Sequence, residues 1–246
     1  MDKIGAYEFL AEPFHCDFTG SLSVGHLGNH MLNAADFHST DRGFGMKYLQ
    51  SINRSWVLSR LVMEVEDMPR QYDRFLVRTW VESAMRYFTS RNFQVESADG
   101  RTLGYGRSIW AMIDTISRQP SDIFSIDHGA IENWIVKDKE CPIQKGGRVK
   151  LASETPLFRS VETHYSDIDI NGHINSIKYI EHLLDLWPLS WYRTHRFRRI
   201  EIAYVAEAHD GERLDFYRQD VSEVASDIEV RKTDGEPVCR ARILFE

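Results

Sequence analysis

Tyr165-Ser166-Asp167-Ile168-Asp169-Ile170-Asn171-Gly172-His173-Ile174-Asn175-Ser176-Ile177-Lys178-Tyr179 decides how the chain is read. Asp167, Asp169, Asn171, His173 and Asn175, five side chains suited to catalysis or capping, fall within nine residues. They alternate with apolar neighbours, break on Gly172 and run into a helical pattern. Ile177, Ile180, Leu184 and Trp187 form its apolar stripe, at spacings of three, four and three. Lys178, Glu181 and Asp185 form the polar side, and Pro188 is the stop. A helix start offers free backbone N–H groups and a positive dipole end, which stabilise negative charge. The stretch therefore reads as the active site of an enzyme.

Outward from it, the pattern occurs twice. In the first half, Leu27, Met31, Ala34 and His38 mark a helix that runs to about Leu49, with Gly43 and Gly45 as interruptions. A strand is expected over residues 7–18, and four more over 56–65, 75–81, 87–95 and 102–113, with Asp99-Gly100 as a hairpin turn. In the second half, strands are expected over 157–165, 198–206, 213–218, 224–231 and 238–245, with Asp234-Gly235 as the matching turn. A helix with four strands, duplicated, is an α+β pattern built on antiparallel sheets. The expected division is a repeat over 1–118, a linker over 119–150 and a second repeat over 151–246. The linker is broken by Pro120, Pro142, Gly146 and Gly147, and its end is basic through Lys137, Lys139, Lys145, Arg148 and Lys150.

Two alignments relate the halves. Val95 with Asp99-Gly100 matches Val230 with Asp234-Gly235 at a shift of 135 residues. Gly25-His26-Leu27 matches Gly172-His173-Ile174 at a shift of 147. The second match sets Asn171 against Val24 and Asp169 against Leu22, so the first copy lacks the Asp and Asn. One active site per chain, in the second half, is the expectation.

Composition narrows the class. At 246 residues, 42% hydrophobic and 27% charged, the chain can bury a sizeable core. A formal net charge of −7 argues against a general nucleic-acid binder. Cys16, Cys141 and Cys239 are odd in number and far apart, so they form no disulfide framework or CxxC metal site. The first residues hold no signal-peptide core, and no run is long and apolar enough to span a membrane. His26 and His30 are an i, i+4 pair without a recognisable third metal ligand. There is no G-x-S-x-G elbow, P-loop or dinucleotide fingerprint.

A helix wrapped by an antiparallel sheet, twice over, resembles the tandem hotdog fold. Asp169-Ile170-Asn171-Gly172-His173-Ile174-Asn175, followed by Lys178-Tyr179, resembles the start of the catalytic helix in the acyl-ACP thioesterase family. Trp56-Val57-Leu58-Ser59-Arg60, Thr79-Trp80-Val81 and Ser108-Ile109-Trp110-Ala111-Met112 are similar to that family's first repeat. Ala203-Tyr204-Val205-Ala206-Glu207-Ala208 resembles its segment carrying a catalytic Glu. Two departures stand out. Ser176 follows Asn175 where the family usually has a second Asn. Ala208 follows Glu207 where plant members often have Cys, so no Cys nucleophile exists there.

The resemblance implies two hotdog repeats, each with a long central helix. It implies hydrolysis of fatty acyl-ACP to free fatty acid and ACP, without cofactor or metal. The implied partner is acyl carrier protein bearing a phosphopantetheine-linked acyl chain, with no nucleic acid, no membrane and a homodimer. A bacterial-type cytoplasmic setting is expected, since no transit peptide is visible. Asp169, Asn171, His173 and Glu207 are the candidate catalytic residues. Histidine suits general acid–base work at neutral pH, and Asn171 can donate to and accept from a water at once. Strand alternation puts Glu207 on the face opposite Ile200, Ile202 and Tyr204, so a bulge or strand end must redirect it. Met31, Leu32 and Ala35 are candidates to line an acyl tunnel. The basic run Arg193, His195, Arg196, Arg198 and Arg199 reads either as a solvated turn or as a dock for acidic ACP or its phosphate. An acyl-CoA thioesterase and a non-catalytic acyl-binding hotdog protein are the alternatives.

Overall fold

The computed structural model describes residues 2–246. Two compact units divide the chain: Met1–Ser59 with Met63–Gln144, and Arg60–Val62 with Lys145–Glu246. Among the described residues no helix is long and apolar enough to cross a membrane.

The first unit carries strand β1 (Gly5–Leu10), helix α1 (Val24–Asp41), helix α2 (Met46–Ser51) and strands β2 (Arg54–Val65), β3 (Arg74–Ala84), β4 (Phe88–Ser97) and β5 (Thr102–Asp114). Their order across the sheet is β1-β3-β4-β5-β2. The expected strand over 7–18 stops at Leu10, because Pro13 opens a 3₁₀ turn over Pro13–His15. Ser23 caps α1 by accepting the His26 N–H, and the stretch with Gly43 and Gly45 separates α1 from α2. Leu27, Met31, Ala34 and His38, the stripe read from the sequence, are all buried. Met31 sits over the missing side chain of Gly106, where a Cβ would lie 3.1 Å from both Met31 Sδ and Phe93. The region expected as a linker is structured through Gln144 and packs into this unit. Ile123, Ile126 and Ile131 join Phe44, Leu49 and Met112 in one apolar cluster. Arg107 donates to the carbonyls of Ile143 (2.9 Å) and Cys141 (2.6 Å).

The second unit carries β6 (Leu157–Glu162), α3 (Ser176–Leu184), β7 (Phe197–Tyr204), β8 (Arg213–Ser222), β9 (Ala225–Lys232) and β10 (Pro237–Phe245). Their order is β7-β10-β9-β8-β6. Alternation sorts its two faces. Cys239 opposite Val230 and Ala241 opposite Ile228 are buried, while Arg240 and Arg242 on the other face pair with Glu229 and Asp227. Helix α3 has nine residues, half the length of α1. It ends before Trp187, which is buried beyond it against Phe245 with ring centroids 4.9 Å apart. Burial of Ile177, Ile180 and Leu183 contributes about 2 kcal/mol per side chain, which is what holds so short a helix in place.

One half-buried and one buried histidine set an acid limit on the first unit. His30 packs against Phe9 (4.5 Å) and Phe75 (5.4 Å), and neither of its ring nitrogens has a partner. Burial, reinforced by His15 and His26, pushes it down to about 4. His38 donates its Nε2–H to the Lys3 carbonyl (3.0 Å), and burial beside Arg91 pushes it down to about 3. A histidine depressed by folding binds its proton more readily in the unfolded chain. Stability is therefore present above the ordinary imidazole range and is lost as pH falls toward 4 and 3. The urea midpoint is expected to drop between pH 7 and pH 4.5, and to drop less in His30→Phe; an equal drop in the two proteins would contradict this account.

Candidate active site

The site is a closed turn between a 3₁₀ turn at Tyr165–Asp167 and the start of α3. Asp169 builds it. Its N–H donates to the His173 carbonyl (2.8 Å) and its carbonyl accepts the Gly172 N–H (3.0 Å). Asp169 Oδ1 accepts the N–H groups of Asn171 (2.7 Å) and His173 (3.3 Å), and Oδ2 faces Asn171 Nδ2 at 3.4 Å. Such local side-chain bonding is what short acidic residues do at turns. Gly172 closes the turn at φ +80°, where an added Cβ would meet no atom but would force an L side chain into the left-handed region. Asn175 then caps α3 by accepting the Ile177 N–H at 2.8 Å. Within the first turn of α3, the Ser176 N–H has no acceptor among the described residues.

Glu207 reaches this turn because its strand has already ended. Strand β7 stops at Tyr204, and the Val238 carbonyl accepts both Val205 N–H (2.9 Å) and Ala206 N–H (3.4 Å). Alternation no longer applies beyond that point. The Ile174 N–H then donates to the Ala208 carbonyl (2.9 Å), which clamps the segment to the turn. As a result Glu207 Oε2 lies 3.3 Å from His173 Nε2. The structure thus brings Asp169, Asn171, His173 and Glu207 together. Deeper in, burial near Cys239, Glu212 and Glu207 raises the Tyr179 hydroxyl above the ordinary phenol range, so this group stays a neutral phenol at pH 7.

Two neighbours were not read from the sequence as part of the site. The His209 ring lies 5.1 Å from that of His173, with Nδ1 3.4 Å from the Gly172 carbonyl. Its only sequence signal is its place two residues after Glu207. His182, on α3, pairs with Asp167 at 2.8 Å; the spacing of fifteen residues gives no hint of this contact.

The first unit holds the same turn with other side chains. Asp17 N–H donates to the Ser21 carbonyl (2.8 Å), Gly20 N–H to the Asp17 carbonyl (3.0 Å), and Leu22 N–H to the Pro69 carbonyl (2.8 Å). Gly20 has φ +77°. The true shift is thus 152 residues, Asp17 to Asp169, and the 147-residue match of Gly25-His26 with Gly172-His173 is coincidental. Gly25 lies inside α1, whereas Gly172 precedes α3. In the corrected alignment the first copy keeps the Asp. Thr19, Ser21 and Ser23 stand where the second has Asn171, His173 and Asn175, and Met68 stands in the place of Glu207.

The other candidates separate. Met31 and Ala35 are buried in the first unit, and Leu32 is half-buried. The basic run does not form one cationic patch. Arg196 and Arg198 share Glu246, Arg199 is buried beside Glu201, and His195 stacks on Trp191 with ring centroids 3.6 Å apart. His26 bonds Ser23 Oγ at 2.8 Å, and among the described residues no group of three or more His, Cys, Asp or Glu is placed to hold a metal ion.

Two family models match the chain: the acyl-ACP thioesterase N-terminal domain over residues 7–125 and the acyl-ACP thioesterase C-terminal domain over 151–246. The chain belongs to the acyl-ACP thioesterase family. A crystal structure of an acyl-ACP thioesterase from Bacteroides thetaiotaomicron shares 51% identity over 99% of this chain and 98% of that one, with a TM-score of 0.93. The 12:0-ACP thioesterase of Umbellularia californica is 21% identical and superposes with a TM-score of 0.86 over 100% of this chain and 98% of that one, which shows the shared tandem hotdog fold. The chloroplastic palmitoyl-acyl carrier protein thioesterase of Gossypium hirsutum is 27% identical over 83% of this chain and 50% of its own. The chain spans about half the length of the curated relatives it matches.

Equal turns imply equal backbone costs. Gly172→Ala and Gly20→Ala are each expected to lose about 1 kcal/mol in urea unfolding, from the left-handed φ alone. A loss at one position and not the other would show that the turns are not equivalent.

Proposed function

We propose that this protein hydrolyses the thioester of fatty acyl-ACP, releasing free fatty acid and ACP, at the turn of the second unit. The observation that carries this is the 3.3 Å contact between His173 Nε2 and Glu207, with Asn171 on the same turn. Family membership and the 51% identical bacterial relative support it. Glu207 accepts the Nε2–H, which leaves the lone pair on Nδ1. Nδ1 takes a proton from a water oriented by Asn171 as that water attacks the thioester carbon. The Ser176 N–H, at the positive end of α3, stabilises the carbonyl oxygen as it gains charge. The C–S bond then breaks and His173 returns the proton to the leaving thiolate. Asp169 holds the turn rather than touching the substrate. The second unit is assigned the chemistry, and the first unit, which lacks His and Asn at its turn, the acyl chain.

Turnover of dodecanoyl- and palmitoyl-ACP against the matched acyl-CoAs tests the reading. Faster hydrolysis of the ACP substrates is expected; a clear preference for CoA would move the protein to the acyl-CoA class, and binding without turnover would make it an acyl-binding protein. His173→Ala and Asn171→Ala should each lower kcat by at least ~100-fold, as expected for a positioned acid–base group. Near-normal activity in either variant would remove that residue from the set.

A further inference from the structure

We infer that His182 is a positioning residue for the turn that carries Asp169, Asn171 and His173, acting through Asp167. The inference rests on the function proposed above. Asp167 is only 5% exposed and ties three elements together. Its Oδ2 accepts the His164 N–H (2.9 Å), its carbonyl accepts the Asn175 N–H (2.8 Å), and its Oδ1 meets His182 Nε2 at 2.8 Å. The bond to Asn175 closes the turn immediately outside the pairing of Asp169 with His173. A shift of Asp167 is therefore passed to both ends of the segment that holds the candidate catalytic groups. His182, two turns along α3, is the imidazole that holds the Asp167 carboxylate.

The first unit shows what the fold alone requires. At the 152-residue shift, His15 occupies the place of Asp167 and His30 that of His182. The His15 carbonyl still accepts the Ser23 N–H (2.9 Å), so the backbone closure is intact. The two rings, however, lie 6.4 Å apart and both nitrogens of His30 are unpartnered. The turn thus closes without a bond between these two positions, and His15 Nδ1 lies 2.8 Å from Glu12 Oε2 instead. The contact that links the turn to its own helix is found behind the turn that bears Asn171 and His173, as His182 to Asp167, and it has no counterpart between His15 and His30 behind the turn that bears Thr19 and Ser21. That places it with the chemistry rather than with the closure of the fold. A buried carboxylate that loses a hydrogen-bond donor is left unsatisfied, which is unfavourable enough to move it. A displacement of about 1 Å at a catalytic group costs on the order of 10²-fold in rate.

The test compares His182→Leu, His182→Gln and Asp167→Asn on dodecanoyl- and palmitoyl-ACP, at a temperature where circular dichroism shows each variant folded. His182→Leu is expected to lower kcat by ~10–100-fold with KM within about twofold, the signature of lost positioning rather than lost binding. His182→Gln, which keeps an N–H donor toward Asp167, is expected to recover most of that loss. Asp167→Asn combined with His182→Leu should be no worse than Asp167→Asn alone, because the two act as one unit. Wild-type kcat in folded His182→Leu overturns the inference, and so does a Gln variant as impaired as the Leu variant. Should His182→Leu not fold, a near-normal His182→Gln beside an impaired Asp167→Asn supports the inference, and equal activity in those two overturns it. Failure of the proposed function looks different: the wild-type protein would then leave both acyl-ACPs intact, and the inference falls with it.

Discussion

One backbone hydrogen bond, from the Ile174 N–H to the Ala208 carbonyl, holds the two halves of the proposed site together. It joins two segments far apart in sequence, the turn before α3 and the chain leaving β7. It fixes the segment after β7 against the turn, with Glu207 3.3 Å from His173. The clamp works because β7 has ended at Tyr204 and the chain is free to bend. Burial of Ala208, at 1% exposure, keeps water from competing for its carbonyl.

The same clamp recurs in the first unit, from Leu22 to Pro69, with the same turn geometry and a glycine in the same backbone region. Two copies of one scaffold therefore carry different side chains. Asp17 and Asp169 do the same structural work. Ser21 and Met68 stand in place of the imidazole and the carboxylate to which acid–base chemistry is proposed in the other copy. The parts the copies share belong to folding, and the parts that differ are where function has to be sought. By that criterion the proposed function takes Asp169 as a builder and His173, Asn171 and Glu207 as the working groups.

Much of this was legible in the chain. Alternating strands, the Asp-Gly hairpins and the apolar stripe of α1 gave the α+β architecture, because period-two and period-four burial leave direct marks on sequence. The motif from Asp169 to Asn175 marked the turn on which the proposed site stands. Three things were hidden. The length of α3 was overread, since Trp187 keeps helical spacing while being buried outside the helix. The identical Gly-His pairs at Gly25 and Gly172 mask the repeat, because hydrogen bonding, not residue identity, defines the equivalence of Asp17 with Asp169. Glu207 and His182 owe their positions to contacts across 34 and 15 residues. Strand parity argued against the first, and nothing in local spacing announces the second.

The central claim is that one of two equivalent turns carries the chemistry. Matched removal of the turn-building carboxylates tests it most directly, by steady-state hydrolysis of dodecanoyl-ACP with Asp17→Ala and Asp169→Ala, each corrected for its folded fraction. Both variants lose the carboxylate that accepts the N–H two residues on, from Thr19 or Asn171; Asp17 also accepts the Thr19 hydroxyl, and Asp169 also accepts the His173 N–H at 3.3 Å. Asp169→Ala is expected to lose at least ~100-fold in kcat through misplacement of His173 and Asn171, with Asp17→Ala staying within about twofold of wild type. Equal losses in the two variants, or a larger loss in Asp17→Ala, would contradict the account.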